Sequence, residues 1–383
     1  MTKLRIAGHS CPRPAMPALS TVGIQQLARE AGFDLCGVAP VRNFGELSVF
    51  PAWIAAGRHG EMKYMEARDE AGELKRAALA RVAPWARSVL VCAINYNTAQ
   101  PYSTQATDPS RGWISRYAWS REDYHDAVMR RLLIFESKLK ELIGATGARQ
   151  PATSNQQLAT DNCFRAYVDT GPLIERVFAK HAGIGWIGKN TCLINQKLGS
   201  WLFLGVILTS LELATDLPAP DRCGTCTRCI AACPTQAIVA PGEIDARLCI
   251  SYLTIEKRGS IPEGLRAAMG RHVFGCDICQ DVCPWNRKAP ASQLPEFQPR
   301  EQLVNPALDW LAEITPEDFR ETFRGSPVRR AKLNGLRRNA IVAMANSKNE
   351  KFAVALERLA TDPDATVSEH ARWALEKLRQ KDS

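Results

Sequence analysis

The clearest chemistry in this chain is carried by sulfur. Cys223, Cys226, Cys229 and Cys233 are spaced C-x2-C-x2-C-x3-C, with Pro234 directly behind them. This is the bacterial ferredoxin run, in which three thiolates hold one 4Fe–4S cube and the fourth cysteine serves the other cube. Cys276, Cys279 and Cys283 form a shorter run, C-x2-C-x3-C, again closed by a proline, Pro284. Cys249 stands alone between the two runs and supplies the missing thiolate. The count then closes. Cys223, Cys226, Cys229 and the crossing Cys283 serve one cluster, and Cys233, Cys249, Cys276 and Cys279 serve the second. Structural zinc is the alternative use of paired C-x2-C motifs. The triple run with a proline-capped fourth cysteine favours the iron–sulfur reading. The other five cysteines, Cys11, Cys36, Cys92, Cys163 and Cys192, have no ligand spacing.

A two-cluster module carries single electrons, either to another protein or to a redox centre in the same chain. About 215 residues precede the clusters, more than a bare ferredoxin uses, so an active site is expected there. Asp169 lies in Asp-Thr-Gly-Pro, which reads as a turn or a helix N-cap. Glu175 and Arg176 read as an ion pair or as site residues. His125 and His181 read as surface or capping residues. Trp119, Tyr124 and Trp285 are candidates for stacking on a base, against the commoner fate of a buried aromatic.

Elements must hold these groups in place. Ile24, Leu27, Ala28 and Ala31 recur at helical spacing before Gly32. Strands are predicted over 33–39, 88–94, 164–168 and 201–209, and an amphipathic helix over 123–143. Strands interleaved with helices indicate an α/β or α+β domain over 1–215. A ferredoxin-like segment with two clusters follows over 216–300. Four prolines between 284 and 299 mark a linker or a draped loop. Residues 301–383 read as wholly helical, with stretches at 336–345, 352–359 and 367–378. The helix pair with an Asp-Pro turn is HEAT-like.

Composition sets the partners. The 383 residues are 45% hydrophobic and 23% charged, as in a soluble globular protein. The longest apolar stretch is far short of the ~18 residues that span a membrane. The N-terminus shows neither a secretion core nor a twin-arginine pair. Thirteen cysteines without such a signal favour metal ligation over disulfides, because the cytoplasm keeps thiols reduced. The net charge is +9, and +6 of it falls within 320–338, where Arg320, Arg324, Arg329, Arg330, Lys332, Arg337 and Arg338 face only Glu321. That stretch reads as a phosphate-contacting face or as a solvated helix.

Several segments together carry a resemblance. YVDTGPLIER at 167–176, AGIGWIGKNT at 182–191, ISRYAW at 114–119, DYH at 123–125 and CPWN at 283–286, with the cluster spacing, closely resemble the epoxyqueuosine reductases of tRNA queuosine synthesis. The resemblance covers about residues 20 to 380. It implies a cobalamin-binding domain, a two-cluster ferredoxin-like domain and a HEAT-like domain that together hold a tRNA anticodon stem-loop. It implies Asp169 as proton donor, its pKa raised by burial beside the corrin. Asp169 would also touch the cofactor. Further cobalamin contacts would fall on Arg76, Ser115, Glu175, Asn190, Leu193 and Leu204, and on Ser251, Asp277 and Ile278 beside the clusters. Asp123-Tyr124-His125 starts the Asp-x-His-x-x-Gly motif of a lower axial ligand, but residue 128 is Val, so base-off cobalamin is implied. The expected substrates are the tRNAs for Asp, Asn, His and Tyr, whose anticodons begin with G. An external low-potential electron donor, a cytoplasmic location and a monomeric state complete the expectation.

Two rivals stand beside it. A cobalamin-dependent reductive dehalogenase shares the cofactors, but that family usually carries an export signal and a tyrosine acid. A non-enzymatic iron–sulfur carrier predicts no corrin binding and no turnover.

Overall fold

The computed structural model describes residues 20–145 and 164–380, so Cys11 and Cys163 lie outside the described residues. Its centre is a four-stranded sheet of β1 (Leu35–Pro40), β2 (Ser88–Asn95), β3 (Phe164–Tyr167) and β4 (Leu202–Thr209), in the order β1-β2-β4-β3. Every neighbouring pair is antiparallel. This resolves the choice left by the sequence in favour of α+β, because parallel pairs with crossover helices are absent from this sheet.

Both faces of the sheet are covered, and alternation along β2 shows how. Leu90, Cys92 and Ile94 point to one face with Phe203 and Ile207, against α1 (Thr21–Glu30) and α2 (Tyr124–Ala145). Val89, Val91 and Ala93 point to the other with Val206 and Leu208, against α3 (Glu175–His181). All eight residues of β2 are buried, as the unbroken apolar run Ser-Val-Leu-Val-Cys-Ala-Ile requires. Close packing on α2 depends on Gly205, where a Cβ would lie 2.9 Å from Val128 and Leu132. Val128 is therefore a core residue, which accounts for the broken axial-ligand motif at that position.

Past the sheet, the cysteine segment and the C-terminal helices share one core. Trp113, Ile114, Leu253, Val273 and Phe274 pack with Leu336, Ala340 and Ile341 of α4 (Leu333–Asn346), then with α5 (Ala353–Leu359) and α6 (Ala365–Arg379). The proline-rich stretch is a draped loop. The carbonyls of Ala289 and Pro290 accept from Asn97 and Asn95, and Phe297 is 1% exposed within the sheet's core. Among the described residues, no helix is long and apolar enough to cross a membrane.

The basic stretch divides. Arg320, Arg324, Arg329, Arg330 and Lys332 are exposed, but Arg337 pairs with Asp362 at 2.6 Å and Arg338 is 1% exposed. Helix α4 is central to its layer, so its basic residues face protein as well as water. Burial pulls the Arg338 guanidinium down to about 10. It donates to the carbonyls of Leu253, Lys257 and Gly259 at 2.6–3.0 Å and to Asn339, whose amide donates to Thr254 and Val273. These two residues tie α4 to the cysteine segment. Arg338→Ala removes the donor to the buried Leu253 carbonyl and to the less buried carbonyls of Lys257 and Gly259, and should cost about 1 to 3 kcal/mol. A melting temperature within a degree of the parent would remove that role.

A cavity between the sheet, the cysteines and the basic rim

One cavity of about 990 Å³ lies where the three parts meet, at the upper end of ligand-site volumes. Its wall draws on segments far apart in sequence: Arg76, Tyr124, Asp169, Glu175, Cys192, Leu193, Leu204 and Gln280. Arg329, Arg330 and Lys332 line it from the C-terminal side.

Asp169 enters on the turn after β3. Its φ of +57° and the bond from Thr170 N to Val168 O at 2.7 Å define the turn, so the turn reading and the site reading describe the same geometry. Its carboxyl accepts from the Tyr124 hydroxyl. His125 Nε2 stands 3.7 Å from Asp169 Oδ2, and its Nδ1 lies 2.8 Å from Asp123 Oδ1. Burial lowers the His125 pKa, but Asp123 and then Asp169 outweigh it and the net shift is upward. Burial, reinforced by Asp169, also pushes the Tyr124 hydroxyl up, so it stays a donor. His125, expected at the surface, thus belongs to the site. No spacing in the sequence brings residues 123–125 and 169 together. The contact comes from α2 and β3 lying against the same strand, β4.

The enclosed acid is Glu175 rather than Asp169. The Asp169 side chain is 51% exposed, so the burial expected for it must come from whatever fills the cavity. Glu175 Oε1 is buried without a hydrogen-bond partner. Desolvation first, and then the Asp169 charge, raise Glu175 to about 7. Arg176, read as its surface partner, donates instead to Thr191 O at 2.5 Å. Arg76 lies over the Tyr64 ring at 5.9 Å.

Other sequence candidates lie outside this wall. Ser115 and Asp277 are 3% and 1% exposed and bond to each other. Asp277 also accepts from Trp113 Nε1 at 3.0 Å and Arg116 N at 2.8 Å, so its lone pairs serve the protein. Ile278 packs on the shared core, and Ser251 lies beside Cys249. His181 stacks on Phe44 at 3.7 Å and meets Glu46 at 3.2 Å, away from the site. Trp119 is fully buried and so cannot stack on a base. Tyr124 is stacked already, 4.4 Å from Phe203.

The cysteines lie in two neighbourhoods. Cys223, Cys226, Cys229 and Cys283 line a second cavity of about 260 Å³, closed by Asn190 and Trp285. Cys233, Cys249 and Cys276 lie within electrostatic reach of one another, and Cys279 within reach of Cys249 and Cys276.

Comparison with known proteins agrees with this layout. Residues 76–170 match the family described as epoxyqueuosine reductase QueG, DUF1730, and residues 222–286 match the 4Fe-4S double cluster binding domain. The epoxyqueuosine reductase of Xanthomonas campestris pv. campestris is 38% identical over 362 residues, covering 94% of this chain and 96% of its own length. That of Vibrio cholerae serotype O1 is 38% identical over 359 residues, covering 94% and 92%. An epoxyqueuosine reductase crystallised with a tRNA-Tyr epoxyqueuosine-modified stem loop superposes with a TM-score of 0.79 and 30% identity, across 93% of this chain and 89% of that one. The structure from Streptococcus thermophilus gives 0.79 and 28%, across 94% and 91%.

Glu175 makes a pH prediction. Its pKa in the fold, about 7, lies above the ordinary 4.5. The stability carried by its proton is therefore whole below about 4.5, falls as pH rises and is gone above about 7. In ligand-free protein, Glu175→Gln should exceed the parent at pH 8 by on the order of 3 kcal/mol, and the two should converge towards pH 4.5. Equal thermal stabilities at pH 8 would show that the carboxyl is not held neutral.

Proposed function

The chain belongs to the epoxyqueuosine reductase family, and on that premise we propose how its own residues carry the reaction. The epoxide on the cyclopentane ring of epoxyqueuosine, at the tRNA wobble position, becomes the alkene of queuosine. Two electrons and two protons enter, and one water leaves. The observation that carries the reading is the cavity itself, which sets an acid group, Gln280 of the loop that carries Cys276 and Cys279, and a basic rim around one space.

When bound, two 4Fe–4S clusters would supply single electrons drawn from an external low-potential donor. We assign the first to Cys223, Cys226, Cys229 and Cys283 and the second to Cys233, Cys249, Cys276 and Cys279. Cobalamin fits the large cavity on two grounds. The volume suits a bulky cofactor, and the unpartnered Glu175 carboxyl suits the amide edge of a corrin. Arg76, Leu193 and Leu204 would hold it with Glu175, and when bound it would supply strongly reducing cobalt. Ser115, Asp277, Ile278 and Ser251 support that site from behind, through the loop that carries Cys276 and Cys279. Asn190, on the wall of the smaller cavity, braces the same loop.

Asp169 donates the proton to the opening epoxide oxygen, because an alkoxide is a poor leaving species at neutral pH. The Tyr124 hydroxyl fixes the carboxyl, and His125, whose pKa is raised by Asp123 against the effect of burial, stands beside it to restore the proton. The base must leave the anticodon loop to reach this depth. Arg329, Arg330 and Lys332 meet the phosphates at the mouth. The monomeric state and cytoplasmic location belong to the same reading.

Asp169→Asn should keep clusters and cobalamin bound yet slow turnover by about 100-fold or more. The readout is mass spectrometry of digested nucleosides from tRNA carrying epoxyqueuosine, followed as loss of one oxygen atom. Parent-like turnover would remove the acid role. Replacing Arg329 and Lys332 together by Ala should weaken tRNA binding and flatten the slope of log K against log salt by about 1 to 2. An unchanged slope would move the phosphate contacts elsewhere.

A further inference from the structure

We propose that the exposed cations around the first cysteine set, Lys197, Arg222, Arg228, Arg287 and Lys288, form the docking surface of the electron donor, and that this donor is an acidic protein carrying a one-electron centre. The proposal rests on the reading of Cys223, Cys226, Cys229 and Cys283 as ligands of the first cluster.

Three segments meet at the smaller cavity. Cys223 and Trp285 pack against Trp186, Ile194 and Cys283, and the two indoles meet edge to face at 5.0 Å. Lys189 Nζ donates to Gly224 O at 2.7 Å, which joins the first segment to the second. The turn that carries Lys197 is closed by Asn195 N to Gly199 O at 2.8 Å and by Gly199 N to Asn195 O at 3.0 Å. It abuts the third segment at Gly199, where φ is +70° and a Cβ would lie 3.2 Å from Trp285 O. Ser200 N donates to Asn286 Oδ1 at 2.7 Å beside it. Lys197, Arg287 and Lys288 are thus carried on adjoining turns, next to the wall that Arg222 and Arg228 line.

Charge on these segments is one-sided. Residues 185–199, 221–229 and 283–288 contain six cations and a single carboxylate, Asp221, whose Oδ1 accepts from Cys223 N at 2.7 Å. Glu243 follows the Gly242 whose N–H bonds Lys189 O, and it is paired with Arg58. Lys189 is held by Gly224, but the other five cations are exposed. Among the described residues none of these five enters an ion pair. Like charges left unpaired on one face repel one another, and an anionic partner relieves that repulsion.

Position decides which anion. Cys249 and Cys276 of the second set pack on the core shared with the C-terminal helices. The first set has outward neighbours instead, with Arg222, Gly224, Thr225, Thr227, Arg228 and Pro284 all exposed. An electron arriving from outside meets this set first. RNA is the other polyanion to weigh, but Arg222, Arg228 and Trp285 line the smaller cavity and not the one that holds Asp169. A stem-loop whose wobble base reaches Asp169 has Arg329 and Lys332 for its phosphates, which leaves the second basic face to a different partner. On that face one electron leaves the reduced centre of the donor and enters the first cluster. The donor is oxidised by one electron, the cluster is reduced by one, and no atom changes hands.

The test uses the full chain with clusters reconstituted anaerobically, as the parent, as Arg222→Glu with Arg228→Glu, and as Arg320→Glu with Arg324→Glu. The last pair makes the same change of net charge away from the first cysteine set. The probe is an acidic plant-type 2Fe–2S ferredoxin. Its oxidised form is titrated calorimetrically, where no electron flows, and its reduced form is mixed in stopped flow while the bleaching of the clusters is followed. Iron is counted, and binding of an anticodon stem-loop RNA is measured alongside. Eight irons are expected in all three proteins. At low salt, Arg222→Glu with Arg228→Glu should weaken ferredoxin binding and slow cluster reduction by about tenfold or more, and added salt should shrink both differences. The Arg320 and Arg324 pair should bind ferredoxin as the parent does, and the Arg222 and Arg228 pair should bind the stem-loop as the parent does. No ferredoxin binding by the parent would overturn the proposal, as would parent-like binding by the Arg222 and Arg228 pair. Equal weakening by both pairs would overturn it by reducing the effect to net charge. Loss of stem-loop affinity from the Arg222 and Arg228 pair would overturn it by assigning the face to RNA. Eight irons retained in Cys226→Ala would overturn the ligand reading itself, and the proposal with it.

Discussion

One buried carboxylate fixes where the electron-carrying loop sits. Asp277, between Cys276 and Ile278, accepts from the indole of Trp113, the hydroxyl of Ser115 and the backbone N–H of Arg116. A buried carboxylate needs several donors to be tolerated, and here all come from one segment of the sheet domain. The strand Trp113–Ile114 pairs in parallel with His272–Phe274 immediately upstream. Gly275 completes the fit, because a Cβ there would lie 2.4 Å from the Ser115 Cβ. Cys276 and Cys279 are thereby held against the cavity by polar bonds as well as by packing. The resemblance places Ser115 and Asp277 among cofactor contacts, and the structure makes them a mutual anchor.

Much of this was legible in the sequence, for identifiable reasons. The cysteine runs were readable because ligand spacing is local and chemically demanding. Strand β2 was readable because a strand buried on both faces writes a continuous apolar run. The cavity was not readable in this way. Asp123, Asp169 and Glu175 meet only through the order β1-β2-β4-β3, which no local pattern encodes. Composition also misled over charge. Arg338 belongs to a basic stretch by sequence but to the interior by structure, because carbonyl acceptors rather than a carboxylate satisfy it. Trp119, weighed as a stacking residue against burial, is sealed against Trp113, with its indole bonded to Ile114 O at 2.8 Å.

Charges are distributed unevenly around the cavity. Asp123, Asp169 and Glu175 share their part of the wall with Arg76, His125 and Arg176, whereas Arg329, Arg330 and Lys332 line the C-terminal side. Arg330 is itself restrained, by Glu256 at 2.5 Å and by the Tyr64 ring at 5.3 Å. The exposed Arg329 and Lys332 are therefore the cations on this side best placed to attract a polyanion.

The core shared by the cysteine segment and the C-terminal helices also sets a timetable for biogenesis. Trp113 and Ile114 cannot be covered until Leu336 and its neighbours have been made, roughly 220 residues later, which at ~5–20 residues per second is about 10 to 40 s of synthesis. Within that interval Cys249 and Cys276, which pack against this core, emerge while the layer that covers them is missing. The chain order therefore leaves these two thiols uncovered until translation is nearly complete.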